Sequence, residues 1–489
     1  MRHLGILVLS VVLLTGLATQ SFAQVMETPE EAGITPITGD IPLLRGYGGS
    51  HHFAAAWLAM LGDGTPLVVM PNPTLEEQLQ HVAILNVLDR KGNVVAERAG
   101  FQDDNGVPIM AYLGGDPRGV AIDARGNQYA VVMTAQPYPP VYTGGGVISA
   151  FAGVGTGGGD SGVPIIQVFN ADGTKSSNIV NIMGKGTLFS DSGQVQGRAC
   201  VFLSNGNVAL NFWDKKTPTG GVTGDRWPGY EGTGQVVGVS VISPNGSIVV
   251  PPTPISTPVA GANAQTMRGV AAGEGWFCCR FQDADGVVKY SIFNNAGSRV
   301  RDIIPADVID AAMEGGLGTA IAGGRGDSEL IYGQGEFLYA IGKANGATFV
   351  MKFNALAGTL VKITEASPAG NQGERMDICA DANGNVFAMW GDVSGGGLVA
   401  LGRLFDANLD PVTPEFSVFE HQVLSGNTDT WKDVSCRMDT GIIVASCHTT
   451  GLPDNEATPG LGNLPLEHCV RILANPLGPS AVQGNWELY

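Results

Sequence analysis

Apolar, strand-like runs along this chain are separated by tight glycine turns, and the arrangement recurs seven times. In each copy an apolar residue follows the turn glycine by six positions. The glycines are Gly64, Gly126, Gly206, Gly275, Gly335, Gly384 and Gly441. The apolar followers are Met70, Val132, Phe212, Phe281, Ile341, Trp390 and Cys447. Self-similarity of this kind is the signature of a repeat architecture, so the repeat is taken as the unit of the fold.

Each repeat predicts two hairpins and therefore four antiparallel strands. In residues 378–390 the dipeptide Asn383-Gly384 joins two apolar strands, which is a strong signal for a two-residue hairpin turn. A second turn follows a further hydrophobic strand in every repeat, at residues 89–92, 170–173, 243–246, 294–297, 354–358, 406–409 and 475–478. We therefore predict an all-β chain that forms a seven-bladed β-propeller with four-stranded antiparallel blades. Such a ring closes on itself and removes most exposed sheet edges.

The sixth repeat resembles the propeller repeats common in secreted bacterial proteins. It reads Asp-Ala-Asn-Gly-Asn at 381–385, continues to Trp390, and has Leu-Phe-Asp-Ala-Asn at 404–408. The resemblance covers residues 51–489, although tryptophan stands at its position only in this repeat. It implies an architecture and no shared chemistry, so no function is inherited from it.

The N-terminal residues read as an export signal. Arg2 supplies the positive end, residues 4–18 are mostly apolar, and Ser21-Phe22-Ala23 offers small residues for cleavage. We therefore predict a signal peptide at 1–23 and a secreted, periplasmic or extracellular protein. Residues 24–50 are predicted to be a lead-in or a segment that closes the ring, and residues 51–489 to be the propeller. No later apolar run approaches the ~20 residues of a membrane-spanning helix, so no membrane insertion is expected.

The charge balance opposes two classes of partner. The chain has 27 Lys and Arg against 45 Asp and Glu, a net charge of −18. A field of that sign opposes binding to nucleic acid or to anionic membranes. Only 15% of the residues are charged and 71 are glycine, which is typical of an all-β protein with many turns.

The connections outside the glycine turns vary widely in length, and in propellers they share one face. The longest are residues 134–163 and 214–235, in neighbouring blades. Loops carry binding while the scaffold holds them, and aromatic faces suit sugar rings or a protein partner. The candidate ligand-binding aromatics are Tyr138, Tyr142, Trp227 and Tyr230. The alternative is that these side chains pack the loops against the blades.

Cations recur where the innermost strands are predicted to begin. They are Arg118, Arg198, Arg268, Arg375 and Lys432. A ring of cations at the mouth of the central channel favours an anionic ligand such as an acidic glycan. The alternative is that these side chains bridge adjacent blades by pairing with Asp377, Asp433 or backbone carbonyls.

The seven cysteines form an odd set, so at least one is free or pairs with another molecule. Cys447 is predicted to end the second strand of the last blade and Cys469 to begin the third, which makes them disulfide candidates across the intervening loop. Cys436 is a competing partner for Cys447. The remaining cysteines lie at strand positions that suit buried thiols. Residues 283–286 read like the start of a calcium loop, but the later carboxylate is missing, so an ordinary turn is predicted.

No sequence motif for haem, phosphate-loop, serine-hydrolase or zinc-protease chemistry is present, and we identify no cofactor and no metal. The prediction is a secreted binding module for a glycan or protein ligand, without identified catalytic activity. One alternative is an extracellular enzyme acting on polysaccharides, a lyase or hydrolase, with acid and base groups among Asp225, Glu231, His51 and His448. Another is a structural surface protein. The oligomeric state is left open.

Overall fold

The computed structural model describes residues 27–45, 57–73, 81–106, 108–109, 120–135, 163–182, 199–215, 235–257, 265–313, 318, 321, 331–368, 373–392, 399–420, 434–449 and 467–478. In chain order the strands are β1 (Ile41–Arg45), β2 (Trp57–Met60), β3 (Pro66–Pro73), β4 (His81–Leu88), β5 (Val94–Ala99), β6 (Phe101–Gln102), β7 (Pro108–Ile109), β8 (Val120–Arg125), β9 (Gln128–Ala135), β10 (Val163–Asn170), β11 (Val180–Asn181), β12 (Cys200–Phe202), β13 (Val208–Lys215), β14 (Gln235–Ile242) and β15 (Ile248–Pro254). They continue with β16 (Gln265–Ala272), β17 (Trp276–Gln282), β18 (Val288–Asn294), β19 (Arg299–Ile303), β20 (Ile331–Gln334), β21 (Phe337–Ala344), β22 (Ala347–Asn354), β23 (Thr359–Ser367), β24 (Gly373–Ala380), β25 (Val386–Asp392), β26 (Val399–Phe405), β27 (Phe416–Ser417), β28 (Val434–Met438), β29 (Ile442–Thr449) and β30 (Glu467–Ala474). A helix, α1, spans Pro305–Ala312.

Twenty-eight of the thirty described strands form seven antiparallel sheets of four, which confirms the predicted seven-bladed propeller, and β6 pairs with β7 in a separate two-stranded sheet. Blades 1 to 6 use consecutive strands: β2–β5, β8–β11, β12–β15, β16–β19, β20–β23 and β24–β27. Blade 7 has the order β28, β29, β30 and β1. The first strands of consecutive blades contact one another around a closed ring, from β2 through β28 and back to β2. These first strands therefore surround the axis.

The ring closes with a strand from the N-terminal end of the chain. Strand β1 pairs antiparallel with β30, with Ile41 opposite Val470. Upstream of β1, Ser417 N–H donates to Glu27 O at 2.9 Å, so the segment also reaches blade 6. The second turn of the last repeat, at Asn475–Gly478, does not need a strand after it, because β1 occupies the fourth position of blade 7.

Apolar side chains are buried between blades. The seven hydrophobic clusters each join one pair of neighbouring blades, including blade 7 with blade 1. All seven of the apolar residues that follow the turn glycines are buried in these clusters. A residue on one face of a strand packs against the preceding blade and the next residue against the following blade, because side chains alternate across a sheet. The recurring apolar positions of the repeat are therefore the positions at which neighbouring blades pack against each other.

The glycine turns and the second turns share one face, which we call the turn face. Within blade 2, Ala171 N–H donates to Asn127 O at 2.7 Å and so links the two turns. Between blades, Gly62 N–H donates to Gly126 O at 2.7 Å. Six turn glycines have positive φ, whereas Gly441 does not, because the Asp439 carboxylate shapes that turn by accepting its N–H at 2.6 Å. The turn face is therefore held together by backbone hydrogen bonds.

In the residues that the structure describes, no helix has both the length and the apolar character needed to cross a bilayer.

Candidate functional site: the axial cavity

A cavity of about 160 Å³ lies on the axis of the ring. Its lining comes from the first strands β8, β12, β16, β20 and β28. The lining residues include Arg125, Ala272 and Gln334, each the last residue of its strand. Because the first strands end at the glycine turns, the cavity lies at the turn-face end of the axis. Its volume is below the ~300 Å³ of pockets for drug-sized ligands, so it suits a single small polar group.

Arg437 is the most deeply buried cation of this cavity, with 7% of its surface exposed. Its Nη1 donates to Cys436 O at 2.9 Å and lies 3.9 Å from Asp377 Oδ2. Burial lowers the pKa of Arg437, but Asp377 and Asp123 outweigh this and raise that pKa, so the guanidinium stays charged. Its Nε and Nη2 make no hydrogen bond to any residue that the structure describes. These donors are left for the cavity.

The Asp377 carboxylate lies beside the Arg437 guanidinium and helps to hold it in place. The carboxylate is fully buried in β24 of blade 6, and its Oδ2 accepts the N–H of Cys436, in blade 7, at 2.8 Å. Its Oδ1 accepts the N–H of Ile378 at 2.7 Å. The two backbone donors keep the carboxylate as an acceptor, and its negative charge faces the guanidinium. One side chain therefore joins two blades and orients the cavity's buried cation.

Asp123 joins blades in the same way on another side of the axis. It lies in β8 of blade 2, and its Oδ2 accepts the N–H of Phe202, in blade 3, at 2.7 Å. In both cases a carboxylate on the first strand of one blade accepts a backbone donor from the first strand of the next. These two carboxylates thus link neighbouring blades, and both raise the pKa of Arg437.

The other lining residues add hydrogen-bonding groups and an aromatic side chain. Tyr332 and Gln334 are half-buried in β20, and Arg125 is exposed at the end of β8. Cys200 also lines the cavity, but burial and the nearby Asp123 raise the pKa of its thiol well above the usual value. A protonated thiol is a weak nucleophile. The arrangement can bind a polar group through guanidinium and amide donors, and Cys200 does not supply a reactive sulfur.

No family model matches the chain, and no curated protein does. Among solved structures, an α-L-arabinanase of Penicillium chrysogenum is similar at 12% identity, covering 76% of this chain and 98% of its own, with a TM-score of 0.42. The polysaccharide lyase Uly1 is similar at 9% identity, covering 72% of this chain and 77% of its own, with a TM-score of 0.40. An acylaminoacyl peptidase of Pyrococcus horikoshii is similar at 8% identity over 81% of this chain, with a TM-score of 0.39. The chain spans about half (49%) of that peptidase. These similarities concern the fold alone.

Most of the ligand-binding residues predicted from the sequence are outside the part of the chain that the structure describes. Those outside the described residues are Arg118, Arg198, Lys432, Tyr138, Tyr142, Trp227 and Tyr230, together with Asp225, Glu231 and His51. Arg268 lies in β16, Arg375 in β24 and His448 in β29. For these three residues the structure describes the backbone and not the side chain. The cation ring and the aromatic loops remain predictions.

Sequence reasoning missed Arg437 because it looked for cations where the first strands begin. Arg437 instead lies near the end of β28, four residues before Gly441. A signal was present, since a charged residue inside an apolar strand of a chain with few charges needs a buried partner. The sequence suggested Asp377 as a partner for the ring of cations, and in the structure this carboxylate lies beside Arg437.

Two further sequence predictions fall within the described residues. Cys447 lies directly opposite Cys469 across β29 and β30, and their sulfurs are 3.6 Å apart and unbonded, so the disulfide stays a prediction. Asp283 accepts hydrogen bonds from Lys289 Nζ at 2.5 Å and Thr257 Oγ1 at 2.6 Å. Its carboxylate therefore belongs to a turn held by a lysine. Within the described part of the chain, no cluster of three or more His, Cys, Asp or Glu side chains is arranged to hold a metal.

Proposed function

We propose that this chain is a secreted binding module that takes the carboxylate of one unit of an acidic glycan into its axial cavity and does not transform the glycan. The observation that carries the proposal is Arg437, which lines the cavity, is buried and charged, lies beside Asp377, and uses Nη1 in its contacts with Cys436 and Asp377. A planar guanidinium offers paired donors that match the two oxygens of a carboxylate. The carboxylate of a uronate unit is the glycan group that best fits these donors.

The cavity dimensions favour recognition of a single unit over a long chain. A volume of about 160 Å³ holds a small polar group and little more. Gln334 adds an amide, and Arg125 at the exposed end of β8 adds a second cation that attracts the carboxylate. Local cations of this kind draw an anionic ligand to a chain whose net charge of −18 otherwise repels it.

Binding without turnover is supported by the hydrogen bonds of the two carboxylates near the cavity. A hydrolase or lyase needs a carboxyl group that can give or take a proton at the substrate. Asp123 and Asp377 each accept a backbone N–H from the neighbouring blade, so these carboxylate oxygens are already used in holding the ring together. Neither is placed as a proton donor.

The test uses the full-length secreted chain and calorimetric titration with uronate-containing and neutral oligosaccharides. We expect the uronate ligands to bind, and Arg437→Gln to weaken them about 10- to 100-fold, the value of a charge-assisted hydrogen bond. Arg403→Lys is the matched control, because Arg403 is a partly buried arginine that donates to Thr413 O and Ala366 O away from the cavity. Its affinity should match the wild type.

Two outcomes contradict the proposal. Unchanged affinity of a well-folded Arg437→Gln variant removes the cavity as the binding site. Release of reducing ends or unsaturated uronates during incubation with the wild type shows turnover and replaces binding with catalysis. Recovery of the chain from the cytoplasm with residues 1–23 intact refutes the secretion part alone.

A further inference from the structure

Four of the seven cysteines lie in one hydrophobic cluster, between blades 6 and 7. They are Cys379, Cys436, Cys447 and Cys469. The other three are distributed over clusters between other blades. This proximity raises the question of which of the four sulfurs can bond to one another.

Cys447 and Cys469 are placed for a covalent bond. They are direct partners in the antiparallel pair β29 and β30. Directly opposite residues in such a pair have Cα atoms about 4.5 to 5.5 Å apart, inside the range that disulfides span. Both thiols are buried, and their sulfurs are already in contact at 3.6 Å. A small side-chain rotation brings the sulfurs together without moving the strands.

The strand register also selects between partners. Cys436 lies opposite Ala445, so it is only the diagonal neighbour of Cys447. Diagonal neighbours are about 7 to 8 Å apart, which is too far for a disulfide without backbone movement. Cys436 and Cys379 instead both donate to Phe387 O, at 3.9 and 3.8 Å. Cys469 is therefore the partner of Cys447.

We propose that Cys447 and Cys469 form a disulfide that staples blade 7, the blade that closes the ring. The bond joins the second and third strands of blade 7, and Cys469 is at the same time opposite Pro42 of the closing strand β1. With the bond in place, β29 and β30 can no longer separate at this position, and β30 is held as the strand on which β1 pairs.

The bond forms by exchange with a small-molecule disulfide such as oxidised glutathione. One cysteine thiolate attacks the oxidant, giving a mixed disulfide and one glutathione thiol. The second cysteine thiolate attacks the cysteine sulfur of that mixed disulfide and releases the second glutathione thiol. Two cysteine thiols thus lose two protons and two electrons, and one oxidant becomes two thiols. Both thiols are buried in the folded chain, so the exchange needs an oxidant that reaches them during refolding.

Peptide mapping of the wild-type chain tests the bond directly. The chain is refolded with oxidised and reduced glutathione, unfolded in an alkylating reagent and digested with trypsin. The tryptic peptide 438–471 contains no internal Lys or Arg and has Cys447 and Cys469 as its two cysteines. We expect it to be unalkylated and two hydrogens lighter than the reduced peptide. Cleavage after Glu456 should then leave two halves that separate only on reduction. Alkylation of both cysteines in the folded, oxidised chain overturns the proposal.

Thermal unfolding distinguishes a staple from an incidental bond. A disulfide around this loop should raise the unfolding midpoint by about 3 °C over the reduced chain, from the loop-closure entropy spread over a chain of 489 residues. The double variant Cys447→Ala/Cys469→Ala should lose this dependence on reductant. Cys200→Ala, which removes a buried thiol from another cluster, should keep it. Equal reductant dependence in both variants refutes the staple, and the peptide map decides the bond even where a variant fails to fold.

Discussion

Substituting Asp377 by asparagine tests whether one carboxylate both joins blades 6 and 7 and holds the cavity's arginine. The side chain is fully buried, accepts the Cys436 N–H at 2.8 Å and lies 3.9 Å from the Arg437 guanidinium. Asparagine keeps the size of the side chain and removes its charge. Arg437 is then left buried beside a neutral amide.

The expected cost follows from those contacts. At an effective dielectric constant of about 20, two unit charges separated by 3.9 Å attract by about 4 kcal/mol. The lower desolvation cost of the neutral amide offsets part of this, and the bond to the Cys436 N–H weakens from a charge-assisted to a neutral one. We expect Asp377→Asn to lower the free energy of unfolding by about 3 kcal/mol.

Urea unfolding followed by tryptophan fluorescence measures this loss. Asp410→Asn is the control, because Asp410 forms an ion pair with Lys362 while its side chain is 64% exposed, and exposed pairs contribute below about 1 kcal/mol. Arg437→Met should partly rescue Asp377→Asn, since it removes the unpaired charge. Stability of Asp377→Asn within about 0.5 kcal/mol of the wild type, or no rescue by Arg437→Met, refutes the reasoning.

Two further predictions concern the turns. Gly64→Ala should destabilise the chain by about 2 kcal/mol, about 1 kcal/mol from its φ of +83° and up to about 1 kcal/mol because the added Cβ displaces Arg90 Nη1 from its ion pair with Asp439 between blades 1 and 7. Gly126→Ala, at a φ of +58° with nothing within 4 Å of the added Cβ, should cost about 1 kcal/mol, and equal losses in urea unfolding would contradict the steric account. For Asp283, burial raises the pKa, but hydrogen bonds from Lys289 and Thr257 outweigh it and leave that pKa below the usual 3.8. The stabilising contribution of Asp283 is therefore complete above its pKa in the unfolded chain and is lost as the pH falls through its pKa in the folded chain. Asp283→Asn should flatten the dependence of stability on pH between about pH 5 and pH 2. An unchanged slope in this range would contradict the stabilising role of the carboxylate.

The fold could be predicted from the sequence because its signals are local. Each turn needs particular residues at neighbouring positions, as at Asn383-Gly384, and each apolar follower marks a buried strand position. The origin of the fourth strand of blade 7 could not be decided, because pairing between β1 and β30 joins residues more than 400 positions apart. Gly441 was predicted as an equivalent turn, but the Asp439 side chain gives it a different conformation.

The axial site was less predictable, since it exists only once the ring has closed. Arg437 and Asp123 belong to different blades, and no spacing along the chain relates them. A hairpin pattern does give strand order, which is why Cys447 and Cys469 were placed as neighbours. Their register, and with it the choice of Cys469 over Cys436, depends on the pairing of three strands and needed the structure.

A crystal structure of the chain with the uronate oligosaccharide that binds best in the titrations tests whether a ligand reaches Arg437 in the axial cavity. We expect a ligand carboxylate about 2.8 Å from Nε or Nη2 of Arg437, between the ends of β20 and β28. A ligand bound elsewhere on the propeller, with the axial cavity free of it, would contradict the proposed binding site.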